Sequence, residues 1–287
     1  MNYYTVLGLD KEPFSTSPDP NFFYRSTEHR TALTTVMIEI RLRRGLSVIL
    51  GDIGTGKTTL SRKLFQMLSI RDGINFYMIL DPSYDSEELF LLSLIKTFGI
   101  KINTDNCNIL DLKAGLKDFL FQKGASENKT VVLLIDEAQK LNPLSVEVLR
   151  MLLNYETNEF KLLQLVLLGQ MELLPRLTEA KNFMDRISLM YKIKPFSMDD
   201  TKEMIQFRLR QAGYQGRERL FTEEIIEEIY KYTEGYPRRI GMLCHKALKL
   251  LVMENKSIVD NELLRELVNY DSGSRWHRSN LLLKSSC

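Results

Sequence analysis

Cysteine is scarce in this chain, with three among 287 residues, at positions 107, 244 and 287. They form no CxxC pair and have no histidine cluster near them. A sparse, odd set excludes a disulfide framework and a zinc site, and fits thiols kept reduced in a cytosol. Charge of one sign is lacking as well. Against 39 basic side chains stand 37 acidic ones, a net +2, so nothing global attracts nucleic acid or an anionic bilayer. Long hydrophobic runs are also missing. The strongest, VVLLI at 131–135 and LLQLVLLG at 162–169, are strand-length, far below the roughly 18–20 apolar residues that span a bilayer. The N-terminus, MNYYTVLGLDKEPF, has neither a basic n-region nor a sufficient apolar run for a signal peptide. A cytoplasmic protein with no direct membrane span is expected. There is no internal repeat and no low-complexity tract.

What is present is an ordinary globular mixture, 44% hydrophobic and 26% charged, able to bury a sizeable core. Residues 1–26 read as an ordered but irregular arm. Pro13, Pro18 and Pro20 disfavour helix there, while Phe14, Phe22, Phe23 and Tyr24 need an apolar surface to pack on. Helical spacing follows over Thr27–Arg44, with Leu33, Met37, Ile40 and Arg44 along one side. Five short apolar runs then alternate with helical segments: Ser47–Leu50, Phe76–Leu80, Val131–Ile135, Leu163–Leu168 and Tyr191–Ile193. The middle runs are almost continuously apolar, as strands covered on both faces must be, and the alternation predicts a parallel α/β sheet over residues 27–195.

After Pro195 the pattern becomes helical throughout. Ser197 with Asp200 is a helix-start signal, and helical spacing continues over Thr201–Ala212, Thr222–Thr233, Pro237–Met253 and Asn261–Val268. A smaller helical domain is therefore expected over 196–270, followed by a poorly ordered tail, 271–287.

The densest chemical signal is Gly51-Asp52-Ile53-Gly54-Thr55-Gly56-Lys57-Thr58, which matches G-x-x-x-x-G-K-[ST] between an apolar run and a helical stretch. Glycines there let main-chain N–H groups face phosphate oxygens, and the following helix adds the positive end of its dipole. Gly51 to Thr58, with Thr59, are the expected ATP-binding residues. Lys57 would neutralise the β/γ-phosphates and Thr58 would ligate Mg2+. The strand Val131–Ile135 ends in Asp136 and Glu137, at the edge where parallel sheets bind ligands. Asp136 is the second candidate for Mg2+, and Glu137 the candidate to orient or polarise an attacking water.

Gln170, in the Gly169-Gln170 pair that ends the run Leu163–Leu168, would lie beside those carboxylates if that strand is inserted as in the P-loop ATPases, and could then sense the γ-phosphate or position water. Arg186 precedes the last strand, where an arginine acting across a subunit interface is expected. Arg238 and Arg239 open a helix of the small domain and could reach back to phosphates.

Together these residues resemble the AAA+ ATPases, and more narrowly the general-secretion ATPases of the ExeA/GspA type. The resemblance runs from Pro13 to about Val268. It rests on Pro13-Phe14, Ser17-Pro18-Asp19-Pro20, Phe22-Phe23-Tyr24 and Glu28-His29-Arg30 with Ala32-Leu33. It continues through the phosphate loop, Asp136-Glu137-Ala138-Gln139 with Leu141, Leu149-Arg150-Met151-Leu152, Asn154-Tyr155-Glu156-Thr157, Leu168-Gly169-Gln170 and Gly235-Tyr236-Pro237-Arg238-Arg239-Ile240. It implies an α/β P-loop domain with a C-terminal helical lid, ATP between them, sensor 2 at Arg238, an adenine-side segment around Phe23–Arg30, and a homo-oligomer.

Two departures are visible: Met171 stands where the family usually has proline, and these 287 residues contain no membrane helix or peptidoglycan-binding region. The expectation is an ATPase assembling or remodelling a secretion or envelope complex through a membrane partner. The alternative is a DNA-associated switch like the TnsC-type transposition regulators, which share this core. For that reading the basic clusters are small: Arg41, Arg43 and Arg44, and Lys246 and Lys249.

Overall fold

The computed structural model describes residues 2–15, 19–102, 107–180, 182–216 and 218–273. Ser17 and Pro18 of the resemblance, Cys287 and most of the expected 271–287 tail lie outside these residues. The chain divides into two compact units, Thr27–Lys194 and the first 26 residues together with the chain from Pro195 onward.

In the first unit β1 (Leu46–Gly51), β2 (Ile74–Ile79), β3 (Thr130–Ile135), β4 (Leu163–Gly169) and β5 (Ile187–Ile193) form one sheet in the order β2-β3-β4-β1-β5. Every pairing is parallel. β1 and β4 are buried along their whole length and β3 along all but its first residue, because helices cover both faces. The sheet is thus the expected parallel one, with β4 inserted between β3 and β1. The edge strand β5 starts at Ile187, four residues before the expected Tyr191. Its residues alternate in exposure, which breaks up the apolar run that marks the central strands.

The first unit's helices follow the strands in sequence. After α1 (Tyr3–Val6) of the other unit come α2 (Thr27–Arg41), α3 (Lys57–Leu68), α4 (Glu87–Phe98), α5 (Ile109–Phe121), α6 (Pro143–Leu152) and α7 (Leu173–Glu179). Asn142 starts α6 by accepting the Ser145 N–H at 2.7 Å, with Pro143 as its first residue. α2 stops at Arg41 rather than Arg44, because Arg43 and Gly45 adopt positive φ (50° and 98°). Its buried side is His29, Ala32, Leu33, Val36 and Ile40, so Val36 rather than Met37 faces inward.

The second unit holds α1, a 3-10 turn at Pro20–Phe22, α8 (Met198–Gln211), α9 (Glu223–Thr233), α10 (Pro237–Met253) and α11 (Asn261–Gly273). The irregular arm of the sequence reading therefore contains two short helical turns. Phe14 and Phe23 of the arm are buried, and Phe14 packs in one cluster with Phe196, Ile205, Phe221, Ile229 and Leu248. Ser197 and Thr222 cap α8 and α9 through the N–H groups of Asp200 and Ile225. Gly235, at φ 74°, lets α9 turn into α10 where a Cβ would stand 2.1 Å from the Phe196 carbonyl oxygen; no other residue fits there. Among the described residues no helix is long and apolar enough to cross a membrane.

Candidate phosphate-binding site

β1 delivers the chain to Gly51 at the C-terminal edge of the sheet, and α3 begins at Lys57. Between them the backbone makes a tight loop with Gly54 at φ 87° and Gly56 at φ 95°, a region that side chains with a Cβ rarely enter. A Cβ on Gly51 would stand 2.8 Å from Thr55 Oγ1, and one on Gly56 3.0 Å from His29 Nε2. The loop is therefore a cradle that side chains would fill. The first N–H groups of α3 have no intrahelical acceptors and face it with the positive end of the helix dipole.

Lys57 lies along this cradle, 6% exposed, its Nζ donating to the carbonyl oxygens of Gly51 (2.7 Å) and Asp52 (3.0 Å). Burial holds its ammonium below the usual lysine range, against the pull of Glu137, Asp136, Asp52 and Glu172. From the other side His29, at the start of α2 and 1% exposed, donates from Nε2 to the Thr55 carbonyl at 3.0 Å. Its neighbour Glu28 accepts the Tyr191 hydroxyl at 2.9 Å, tying α2 to β5.

Asp136 follows β3 directly and is 1% exposed. Its Oδ2 accepts the Ser61 hydroxyl at 3.0 Å and its Oδ1 the Glu137 N–H at 3.0 Å; the Thr58 hydroxyl also bonds to it. Burial nonetheless pushes the Asp136 carboxyl above the usual range. The hydrogen bonds from Glu137 N–H, Ser61 and Thr58 oppose that shift, and the charge of Glu137 adds to it. A buried carboxylate beside two hydroxyls is a set of hard oxygen donors, which fits Mg2+.

Glu137 has φ 52° and ψ 35°, an uncommon conformation for a residue with a long side chain. Its Oε2 accepts Gln139 Nε2 at 2.6 Å, and Gln139 Oε1 accepts the Gln170 N–H at 3.1 Å. Gln170 follows β4, whose place between β3 and β1 sets it between the carboxylates and the phosphate loop.

Arg186 stands apart. It precedes Ile187, which pairs with Leu46, whereas the phosphate loop follows Gly51, which pairs with Ile193. The arginine and its own chain's loop therefore sit at opposite ends of the sheet, separated by roughly 20 Å of strand at about 3.3 Å per residue. Arg186 is held there by Asn154 Oδ1, 2.7 Å from Nη2, and by the Asn182 carbonyl. Arg238 opens α10 in the second unit and is exposed. Beside it Arg239 lies 4.5 Å over the Tyr236 ring and pairs with Glu234 at 2.9 Å.

Three residues that touch the site carry no individual role in the sequence reading: Ser61, His29 and Gln139. Ser61 lies four residues beyond Lys57, one helical turn on, which is a usable signal. His29 and Gln139 are visible only as members of longer motifs.

Residues 40–177 match the profile of the AAA domain family. The chain is 36% identical over 255 residues to General secretion pathway protein A of Aeromonas hydrophila, covering 86% of this chain and 44% of that protein. It thus spans less than half the length of this curated relative. Among solved structures it is similar to Cdc6p from Pyrobaculum aerophilum (TM-score 0.69, 17% identity, 90% of this chain and 70% of that one). It is also similar to the Drosophila ORC bound to DNA (TM-score 0.66, 18% identity, 92% of this chain and 65% of that one). At these identities the two structures speak to the fold alone.

Proposed function

The chain is an AAA+ protein related to the general-secretion ATPases, and on that premise we propose that it binds ATP with Mg2+ and hydrolyses it to ADP and phosphate. The observation that carries this reading is the convergence of Lys57, Asp136 and Glu137 at one edge of the sheet. The carboxylates favour the charged form of the lysine, and burial opposes it. In this reading residues 51–59 cradle the phosphates, and Lys57 moves from the loop's carbonyls to phosphate oxygens. Thr58 and Asp136 hold Mg2+, which supplies charge neutralisation on the phosphates. Glu137 orients the attacking water and takes its proton. Gln170 contacts the γ-phosphate side. The nucleotide domain spans 27–195, and residues 196–270 form a helical lid domain that carries Arg238.

Arg186, at the far end of the sheet from its own chain's loop, is assigned in this proposal to the site of a second copy, with a homo-oligomer as the working form. The biological task in this proposal is assembly or remodelling of a secretion or envelope complex, in which a membrane protein partner supplies the span. The 36% relative supports it.

A DNA-dependent switch, of the kind found in the TnsC-type transposition regulators that the motifs also resemble, is the second reading. Against it, the basic cluster is partly consumed internally. The Arg43 guanidinium lies 4.3 Å from the Phe160 ring centre and donates to Thr130 Oγ1 and the Asn128 carbonyl, and Arg44 approaches Glu39. Phosphate release by the purified chain, with Mg2+, with and without duplex DNA at fixed low salt, separates these readings. Turnover indifferent to DNA supports the first and strong stimulation the second. No turnover under any condition, including with oligomers formed, contradicts both.

A further inference from the structure

One side chain joins the two polar ends of the central strands. Gln139 sits in the 3-10 turn Ala138–Lys140 after β3. Its Nε2 lies 2.6 Å from Glu137 Oε2 and its Oε1 3.1 Å from the Gln170 backbone nitrogen after β4. The orientation of the amide is unambiguous. A backbone N–H can only meet the oxygen end, and a carboxylate oxygen can only meet the NH2 end. Both ends are therefore matched, and reversing the amide would mismatch both.

The turn does not need this side chain for closure. Its backbone already makes Lys140 N–H to Glu137 O at 2.9 Å and Leu141 N–H to Ala138 O at 3.0 Å.

The charges around Glu137 show why a neutral restraint matters. Asp136 precedes it and repels it, while the ammonium of Lys57 attracts it. The Gln139 amide gives the carboxylate a neutral donor at 2.6 Å beside those two charges. That donor is itself anchored at the end of β4.

We propose that Gln139 is a positioning residue that fixes the Glu137 carboxylate and couples it to the position of Gln170 at the end of β4. This rests on Glu137 being the group that activates water. Whatever displaces the Gln170 backbone then moves the carboxylate too, so the state of the phosphate side is transmitted to the base through one amide.

The test uses Gln139→Glu, which keeps the acceptor for the Gln170 N–H and replaces only the donor facing Glu137, beside Gln139→Leu, which removes both ends. ATP affinity should stay within about twofold of the parent and kcat should fall at least about tenfold in each variant, a split that places the loss after binding. A second readout needs no nucleotide. Gln139→Glu should lower the thermal midpoint, and combining it with Glu137→Gln should recover that loss, because the pair then has its donor and acceptor exchanged.

Parent-like kcat in Gln139→Glu, or a double variant whose midpoint loss is the sum of the singles, would overturn the proposal. If Glu137→Gln alone turns over at the parent rate, the reading of Glu137 as the base has failed and the role of Gln139 falls with it. If Glu137→Gln is inactive and Gln139→Glu is not impaired, only Gln139 is dismissed.

Discussion

The Ser61 hydroxyl donates to Asp136 Oδ2 across 3.0 Å, joining the first turns of α3 to the end of β3. The bond compensates only in part for taking a carboxylate out of water, since the Asp136 carboxyl still titrates above its usual range. The folded state therefore holds that proton more tightly than the unfolded chain. At neutral pH the charged form costs stability, and the cost disappears as pH falls through the raised folded value. Asp136→Asn should melt higher than the parent at pH 7 without nucleotide, with the gap closing in acid. It should also lose the Mg2+-dependent rise in midpoint that ATP gives the parent. Thermal scans across pH, with and without ATP and Mg2+, check both halves.

Gly56 is fixed by its φ of 95° and by His29 Nε2, 3.0 Å from where a Cβ would stand. Gly56→Ala should lose about 1–2 kcal/mol through the left-handed backbone alone, and weaken ATP binding because the loop must shift. Chemical denaturation and calorimetric titration measure the two losses. A variant as stable and as avid as the parent would mean that the cradle tolerates a side chain.

Lys57→Ala removes the cation that bridges loop and phosphates. ATP affinity should fall by at least about 10²-fold, while the fold survives, because among the described residues Lys57 donates to the loop carbonyls of Gly51 and Asp52. Calorimetry with intact circular dichroism is the check.

Arg186 lies at the end of the sheet opposite to its own phosphate loop. Arg186→Ala and Glu137→Gln should each be inactive alone, and mixing them should restore part of the parent rate. In a mixed oligomer some sites combine an intact Glu137 with a neighbour's intact Arg186. An inert mixture, with mixed oligomers shown by mass photometry, would count against action across the interface.

Much of the architecture was legible because burial on both faces leaves a local trace. The runs 131–135 and 163–168 are almost wholly apolar, and they became β3 and β4. β5 leaves a weaker trace because an edge strand needs only alternate residues inside, and Ser188 and Lys192 interrupt its apolar pattern. Helix ends were misplaced where a single backbone angle decides, as at Arg43. Asp136 and Glu137 were legible from their place after a buried strand. Gln139 was not, since its bond to the Gln170 N–H depends on β4 lying beside β3, a fact of strand order and not of local spacing.

The central claim is that Glu137 activates water at a site that Lys57 and the loop build for ATP. Glu137→Gln tests it most directly, with ATP affinity and phosphate release measured on the same preparation. Parent-like affinity is expected, with phosphate release lowered by at least about 10²-fold. Release at the parent rate with ATP still bound would contradict it.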